Sequence, residues 1–372
     1  MNGNDNIAVT AAVLHEHHGP FTIQELTLEQ PRAGEVLVRI VAAGMCHTDA
    51  AVRSADLPTP LPVVLGHEGA GVVEAVGPGV TKVVPGDHVV ITIDSCGQCD
   101  QCLSGHPSIC ELIFPLNFAG SRLDGSHALC GHDGLNDRFF GQSSFATRSV
   151  AHERNVVKVT KDVPLELLGP LACGIQTGAG SVITGLKVKV GESFVVFGSG
   201  AVGLSAVMGA VVCGATTIIA VDINPSRLDM ARELGATHVI NGREEDVVAR
   251  IMEITGKGIH HSLDTTGNLT AIKNAIDCLR AGGVCGILGA SAPGAELALE
   301  ISPFMSSSKT LRGIIEGDCV PDIFIPQMIA LYQQGRFPFD KLIKFYELDQ
   351  INQALEDSEK GITVKPVIRM PA

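Results

Sequence analysis

The sequence predicts an α/β chain of two domains, one β-rich and one built on a doubly wound parallel sheet. Three observations carry this expectation. At 372 residues the chain exceeds what a single ordinary core covers. Its first part reads as short β-branched runs cut by Gly and Pro, and from about Gly174 compact apolar runs alternate with helical patterns.

Composition narrows the class. Hydrophobic residues make up 45% and charged residues 18%, enough apolar surface for a packed core. The formal net charge of −13, with no long basic run, argues against a nucleic-acid partner, which needs clustered Lys and Arg. No apolar stretch is long enough to span a bilayer, and Met1 to Asn6 is polar, so the expectation is a cytoplasmic protein without a membrane partner. Eleven cysteines in so large a chain point to metal or chemistry more than to a disulfide framework.

In chain order, His15, His17 and His18 fall in a polar leader expected to face solvent. Phe21 to about Val90 then carries strand-like runs such as Val36 to Val41, punctuated by Gly69, Gly71, Gly77 and Gly79 and by the turn Pro85-Gly86-Asp87. A barrel or sandwich fits that texture. Between Cys96 and Phe140 periodicity fails, and a loop that long needs something to hold it. Phe194 to Phe197, Thr217 to Val221 and Val284 to Leu288 read as strands of a parallel sheet, with Arg227 to Leu234 as a helix between them. The C-terminal part adds a helix over Ile323 to Gln334 and a strand over Thr363 to Arg369.

Phe194-Val195-Val196-Phe197 runs directly into Gly198-Ser199-Gly200-Ala201-Val202-Gly203, followed by an Ala- and Val-rich helical segment. This is G-x-G-x-x-G in its strand-to-helix context, the phosphate-binding turn of a Rossmann domain. A helix N-terminus there offers N–H groups and positive potential to a pyrophosphate. Asp222 ends the next strand, nineteen residues after Gly203, where a carboxylate can accept from adenosine ribose hydroxyls and would repel a 2′-phosphate. NAD is therefore expected over NADP; Arg227, not adjacent to Asp222, softens the exclusion.

Cys96, Cys99, Cys102 and Cys110 form C-x2-C-x2-C-x7-C, a spacing that can close a tetrahedral structural zinc site. An iron–sulfur run would carry a shorter last interval. Buried free thiols or a disulfide pair are the alternatives, and either leaves the long loop unsupported. A second group is scattered: Cys46, His67 and Cys173 could supply the Cys2His set of an alcohol-oxidising zinc, yet each alone reads as a packing residue and spacing does not join them.

At these residues the sequence resembles the medium-chain, zinc-dependent alcohol dehydrogenase family. Gly66-His67-Glu68 followed by Gly71, Gly77 and Val80 matches the family signature, and the four-cysteine loop and glycine motif follow in the family's order along nearly the whole chain. The resemblance implies a GroES-like catalytic domain from residues 1–175 and 319–372, enclosing a Rossmann domain at 176–318. It also implies two zinc ions per chain, NAD, a small alcohol or aldehyde substrate and a homo-oligomer, dimer or tetramer.

Carried over residue by residue, Cys46, His67 and Cys173 would bind catalytic zinc, with Glu68 behind the metal and Asp49 accepting from His67. Thr48 would take the alcohol proton. His47 and Arg369 match positions used against the cofactor pyrophosphate, and Thr177 and Val202 match positions near the nicotinamide. Many family members carry a His three residues beyond the relay hydroxyl; this chain has Ala51, which leaves the final proton acceptor open.

Phe140 to Ala146, Lys158 to Val182 and Leu311 to Arg369 resemble the aryl-alcohol, or benzyl alcohol, branch, which implies primary aromatic or allylic alcohols as substrates. Thr92 and Ala290, small residues at pocket-like positions, leave room for a ring. Alternatives are a terpenoid or aliphatic alcohol dehydrogenase, or a non-catalytic NAD- and zinc-binding redox sensor. Cys130, Cys213, Cys278, Cys285 and Cys319 are expected to be packing residues.

Overall fold

The computed structural model describes residues 6–131 and 134–371. It divides into two compact units, one of Met1–Cys173, Val320–Gln333 and Asp340–Ala372, the other of Gly174–Cys319 and Gln334–Phe339.

The first unit is β-rich. Strand Ile7–Leu14 pairs antiparallel with Phe21–Leu28, and Val63–Val64 and Leu129–Cys130 extend this sheet. The apolar run of Ile7–Leu14 places a strand ahead of the histidines. His15, His17 and His18 are therefore exposed in the turn after it rather than in a leader. The larger sheet centres on Glu35–Gly44, antiparallel to Glu68–Val76 and to Arg148–His152. The C-terminal strand Lys365–Arg369 completes it, running antiparallel to Glu35–Gly44 with Val367 opposite Gly44, and parallel to Ile343–Glu347. Residues more than 300 positions apart thus share one sheet, and Val36, Val38, Ile40, Phe145 and Ile368 share its core.

The second unit holds a six-stranded parallel sheet ordered 238–241, 217–222, 193–197, 259–264, 279–287, 310–313. Ser193–Phe197 is buried along its whole length, as a central strand covered on both faces must be. Side-chain caps start three of its helices: Asn224 accepts from Ser226 N, Asp246 from Ala249 N, and Asn268 from Thr270 N and Ala271 N. Strand order reverses beside 193–197, the switch point beyond whose carboxyl end dinucleotides bind.

Candidate active site and metal centres

The glycine motif folds as its spacing requires. Gly198 adopts φ +91°, and a Cβ on Gly203 would lie 1.8 Å from the Gly198 carbonyl oxygen, so the turn between strand and helix Ala201–Cys213 excludes side chains at both places. Asp222 braces that turn: Oδ2 accepts from Ser199 N at 2.6 Å, and Oδ1 accepts from Ile223 N and Asn224 N at 2.8 Å each. The Arg227 guanidinium approaches Gly200, 3.7 Å from where its Cβ would stand. Beside Asp222 a cavity of about 280 Å³ is lined by Phe197, Val221, Ile223, Thr266, Asn268 and Ala271, apolar walls with polar corners suited to a flat heterocycle.

In the first unit, Cys46 precedes the short helix His47–Arg53, His67 precedes strand Glu68–Val76, and Cys173 follows a turn of 3-10 helix. One ligand atom from each of these three, together with a Glu68 oxygen, falls within 4.8 Å of the others. Tetrahedral zinc with bonds of about 2.0–2.3 Å spaces its ligands by roughly 3.5–4 Å, so the set fits. His67 Nε2 is buried without a hydrogen-bond partner, which a metal bond would satisfy.

Electrostatics around these atoms favours a thiolate at Cys46 and a tightly held imidazole at His67. The neighbouring Cys173 thiol, the Lys365 charge and His67 hold the Cys46 thiol well below its usual range, against burial. Asp49 is fully buried and accepts from Cys46 N at 3.0 Å, Gly66 N at 3.1 Å and His67 Nδ1 at 3.2 Å. Burial pushes the His67 imidazole down, but Asp49 and Cys46 more than offset it and raise its pKa well above the ordinary value. Thr48 Oγ1 lies 3.7 Å from Cys46 Sγ, and His47 is exposed on the same helix.

Two features here escaped the sequence reading. Lys365 is buried and donates to Glu68 Oε1 at 2.6 Å and to Met45 O at 3.2 Å; a Cβ on Gly44 would strike Glu68 Oε2 at 2.0 Å. Burial raises the Glu68 carboxyl to about 7 even with that ammonium beside it. An isolated Lys ahead of Pro366-Val367-Ile368, in a C-terminal strand, was the available signal. The second feature is an aromatic wall. Phe140 stacks on His67 at 4.5 Å, Phe139 meets it edge-on at 5.5 Å, and Phe118 packs on both phenylalanines. Phe140 is held at φ +52°, an unusual conformation for an aromatic residue. Gln142 secures the segment, donating to His67 O and Ile91 O and accepting from Gly69 N.

Other predicted residues fall as follows. Thr92 is buried with its hydroxyl on Ala172 O at 2.7 Å, while Ala290 is exposed. Arg369 forks onto both Glu166 oxygens at 3.0 Å and stacks on Phe345 at 3.9 Å. Thr177 belongs to helix Gly174–Gly180, where it donates to Glu316, and Val202 lies in the first turn after the glycine loop. Ala51 is half-buried in the Thr48 helix.

Cys96, Cys99, Cys102 and Cys110 converge, with Sγ pairs at 3.9 Å between Cys96 and Cys102 and between Cys99 and Cys110. That is the edge of a tetrahedron with metal–sulfur arms of about 2.3 Å and far beyond a disulfide bond. Backbone N–H groups of Cys96, Gln98, Cys99 and Leu112 point at the sulfurs, and those of Glu111 and Cys102 hold the Cys99 thiol down at about 6. Cys278, Cys285 and Cys319 are buried, Cys130 and Cys213 are half-buried, and none joins a metal group among the described residues. No helix there is long and apolar enough to cross a membrane.

Comparison with known proteins shows the family. Residues 32–161 match the alcohol dehydrogenase GroES-like domain and residues 201–334 the zinc-binding dehydrogenase domain. Over 98% of each sequence the chain is 49% identical to a geraniol dehydrogenase of Castellaniella defragrans. The benzyl alcohol dehydrogenase structure from Acinetobacter calcoaceticus superposes with TM-score 0.96 at 51% identity, covering 98% of this chain and all of that one. An alcohol dehydrogenase zinc-binding domain protein from Burkholderia ambifaria does so with TM-score 0.97 at 55% identity, over 99% of this chain and 100% of that one. With two cysteine-bearing ligand sets, a dinucleotide turn and relatives of this likeness, the chain belongs to the zinc-type, NAD-dependent medium-chain alcohol dehydrogenase family.

Proposed function

We propose that this chain oxidises primary alcohols whose carbinol carbon adjoins an sp² carbon, aromatic or allylic, to aldehydes with NAD. The observation that carries this reading is the set of half-buried Cys46 with buried His67 and Cys173, beside the aromatic wall of Phe118, Phe139 and Phe140. Relatives named for geraniol and for benzyl alcohol support it, because an allylic and a benzylic alcohol share that feature. When bound, zinc polarises the alcohol oxygen and lowers its pKa, and the nicotinamide accepts the hydride.

The remaining chemistry belongs to the chain's own residues. Asp49 fixes the His67 tautomer so that Nε2 faces the ligand cluster. Thr48 would take the alcohol proton and pass it to water, since half-buried Ala51 supplies no imidazole. Phe140 excludes water from one face of His67. The glycine turn would receive the pyrophosphate and Asp222 the adenosine ribose, and Thr177 and Val202 would border the nicotinamide; His47 and Arg369 are assigned to the cofactor from the family resemblance alone.

We also propose that copies pair through the open edge strand Thr310–Gly313, near which Ile301, Met305 and Ile315 are exposed. Light scattering that finds only monomers overturns that pairing.

The activity is tested by NADH formation with benzyl alcohol, geraniol and ethanol, with NAD and NADP, before and after chelation. Benzyl alcohol or geraniol turnover far above ethanol, lost on chelation, supports the reading. Ethanol as the better substrate refutes the substrate class, and preference for NADP refutes the role of Asp222.

A further inference from the structure

Strand His88–Ile91 ends among the segments that carry the candidate zinc ligands. It pairs antiparallel with Glu68–Val76, and Ile91 stands opposite Gly69, two residues past His67. Gln142 Nε2 ties that junction, donating to His67 O and to Ile91 O. The next residue, Thr92, is buried. Asn155 engages both of its backbone groups: Thr92 N donates to Asn155 O at 2.9 Å, and Asn155 Nδ2 donates to Thr92 O at 3.2 Å. With its main chain held in this way, the Thr92 hydroxyl donates to Ala172 O at 2.7 Å, across 80 positions of sequence.

That acceptor is the carbonyl immediately before Cys173. The Ala172 carbonyl and the Cys173 N–H share one planar peptide unit, so a bond to the oxygen fixes the plane from which the Cys173 Cα and side chain project. Buried as it is, such a bond is costly to leave unmade. The same segment is confined from another side, since a Cβ on Gly169 would lie 2.4 Å from Glu68 O. Through Gln142 and Thr92, the end of one strand therefore holds the main chain at His67 and the main chain ahead of Cys173, two ligands supplied by separate elements. Small size, the feature that marked Thr92 in the sequence, does not account for this contact: valine would fill the same space and donate nothing.

We propose that Thr92 is a positioning residue for Cys173: its hydroxyl, acting through Ala172 O, sets where the Cys173 sulfur stands relative to His67 and Cys46. This role rests on the reading of Cys46, His67 and Cys173 as the catalytic metal set. Thr92 itself touches neither metal nor substrate in it. Groups that orient a ligand contribute about 10- to 100-fold to metal affinity, and Thr92 works one peptide unit away from its ligand, so the expected effect lies at the lower end, about tenfold.

The test compares T92V, which keeps the shape and removes the hydroxyl, with T92S, which keeps the hydroxyl and removes the methyl. Zinc-replete protein is held with a chelator, and the zinc remaining per chain is followed by mass spectrometry. C173S, which retains only the four-cysteine set, supplies the release rate of the structural site. T92V should lose its catalytic zinc about tenfold faster than the parent, T92S should retain it as the parent does, and T92V/C173S should release zinc no faster than C173S. Equal release from T92V and the parent overturns the proposal. So does faster release from T92V/C173S than from C173S, the mark of a generally loosened domain, or a T92S as leaky as T92V. A residue that only shapes the substrate pocket would change KM for benzyl alcohol in T92S and leave zinc retention in T92V at the parental rate, which also overturns it. A parent chain that holds only the zinc also found in C173S would instead overturn the metal reading beneath it.

Discussion

Lys365 and Glu68 are nearly inaccessible, at 2% and 0% side-chain exposure, and their charged atoms approach to 2.6 Å. At an effective dielectric near 20 that separation gives an attraction of about 6 kcal/mol. Desolvating two ions costs several kcal/mol each, so the pair as a whole contributes little net stability. Removing the lysine is different, because Glu68, raised to about 7 even with the ammonium beside it, must then take up a proton or stay as an unpaired buried charge. K365M, which keeps length and volume, should cost about 3–5 kcal/mol, or about 10 °C in Tm for a domain of this size class. The double variant E68Q/K365M removes both charges and should return to within about 1–2 kcal/mol of the parent, the usual outcome when both members of a buried pair are replaced. Calorimetry on zinc-replete protein gives all four corners of the cycle. A double variant no more stable than K365M would refute the argument, since the loss would then come from packing around the lysine stem.

Three further perturbations separate the other sites. D222S removes the brace on Ser199 N and the proposed acceptor for the ribose; kcat/KM with NAD should fall about 10- to 100-fold, the cost of one or two such hydrogen bonds, while NADP gains through Arg227. Adding R227A should erase that gain, and unchanged NADP kinetics in D222S would dismiss the assignment. C110S should drop zinc from about two per chain to about one by mass spectrometry, and should expose the loop between Gly97 and Ser121 to protease; two zincs retained would mean the four thiols are not one site. His152 provides a pH test: burial, then the Arg154 guanidinium, lowers its pKa from the ordinary 6.5 to about 4. The folded state thus prefers neutral imidazole, so the stabilisation is complete above pH 6.5 and is lost as pH falls from there through 4. The full shift is worth at most about 3 kcal/mol, and solvent screening at this half-buried ring reduces it to about 1–2. H152N should flatten the decline of Tm between pH 6.5 and 4; parallel curves would contradict it.

What could be read from the chain and what could not divide along sequence separation. Gly198 to Gly203, Asp222 and the four cysteines from 96 to 110 are local patterns, because a pyrophosphate or a closed zinc site constrains groups carried by one turn or one loop. Their spacing is the chemistry, and the structure places them accordingly. Cys46, His67 and Cys173 are the intermediate case: they come from three separate elements, so no spacing rule joins them, and only the family resemblance did.

The residues that were missed all owe their meaning to long-range pairing. Lys365 reaches Glu68 because the last strand runs antiparallel to Glu35–Gly44, a contact across 297 positions. Phe140 faces His67 because Gln142 ties its segment to His67 O and Ile91 O, 75 and 51 positions away. Glu316 meets Thr177 across 139 positions through the strand order of the parallel sheet. In each case the residue type alone invites the bland reading: a surface lysine, a core phenylalanine, a loop glutamate. A buried charge or a left-handed aromatic is costly enough that topology must supply the partner which makes it tolerable. Topology, unlike spacing, is absent from any one stretch of sequence. The same reasoning says where substrate preference should be altered first: at Phe140, which three-dimensional pairing brings against His67, more than at the motif residues proposed to hold metal and phosphate.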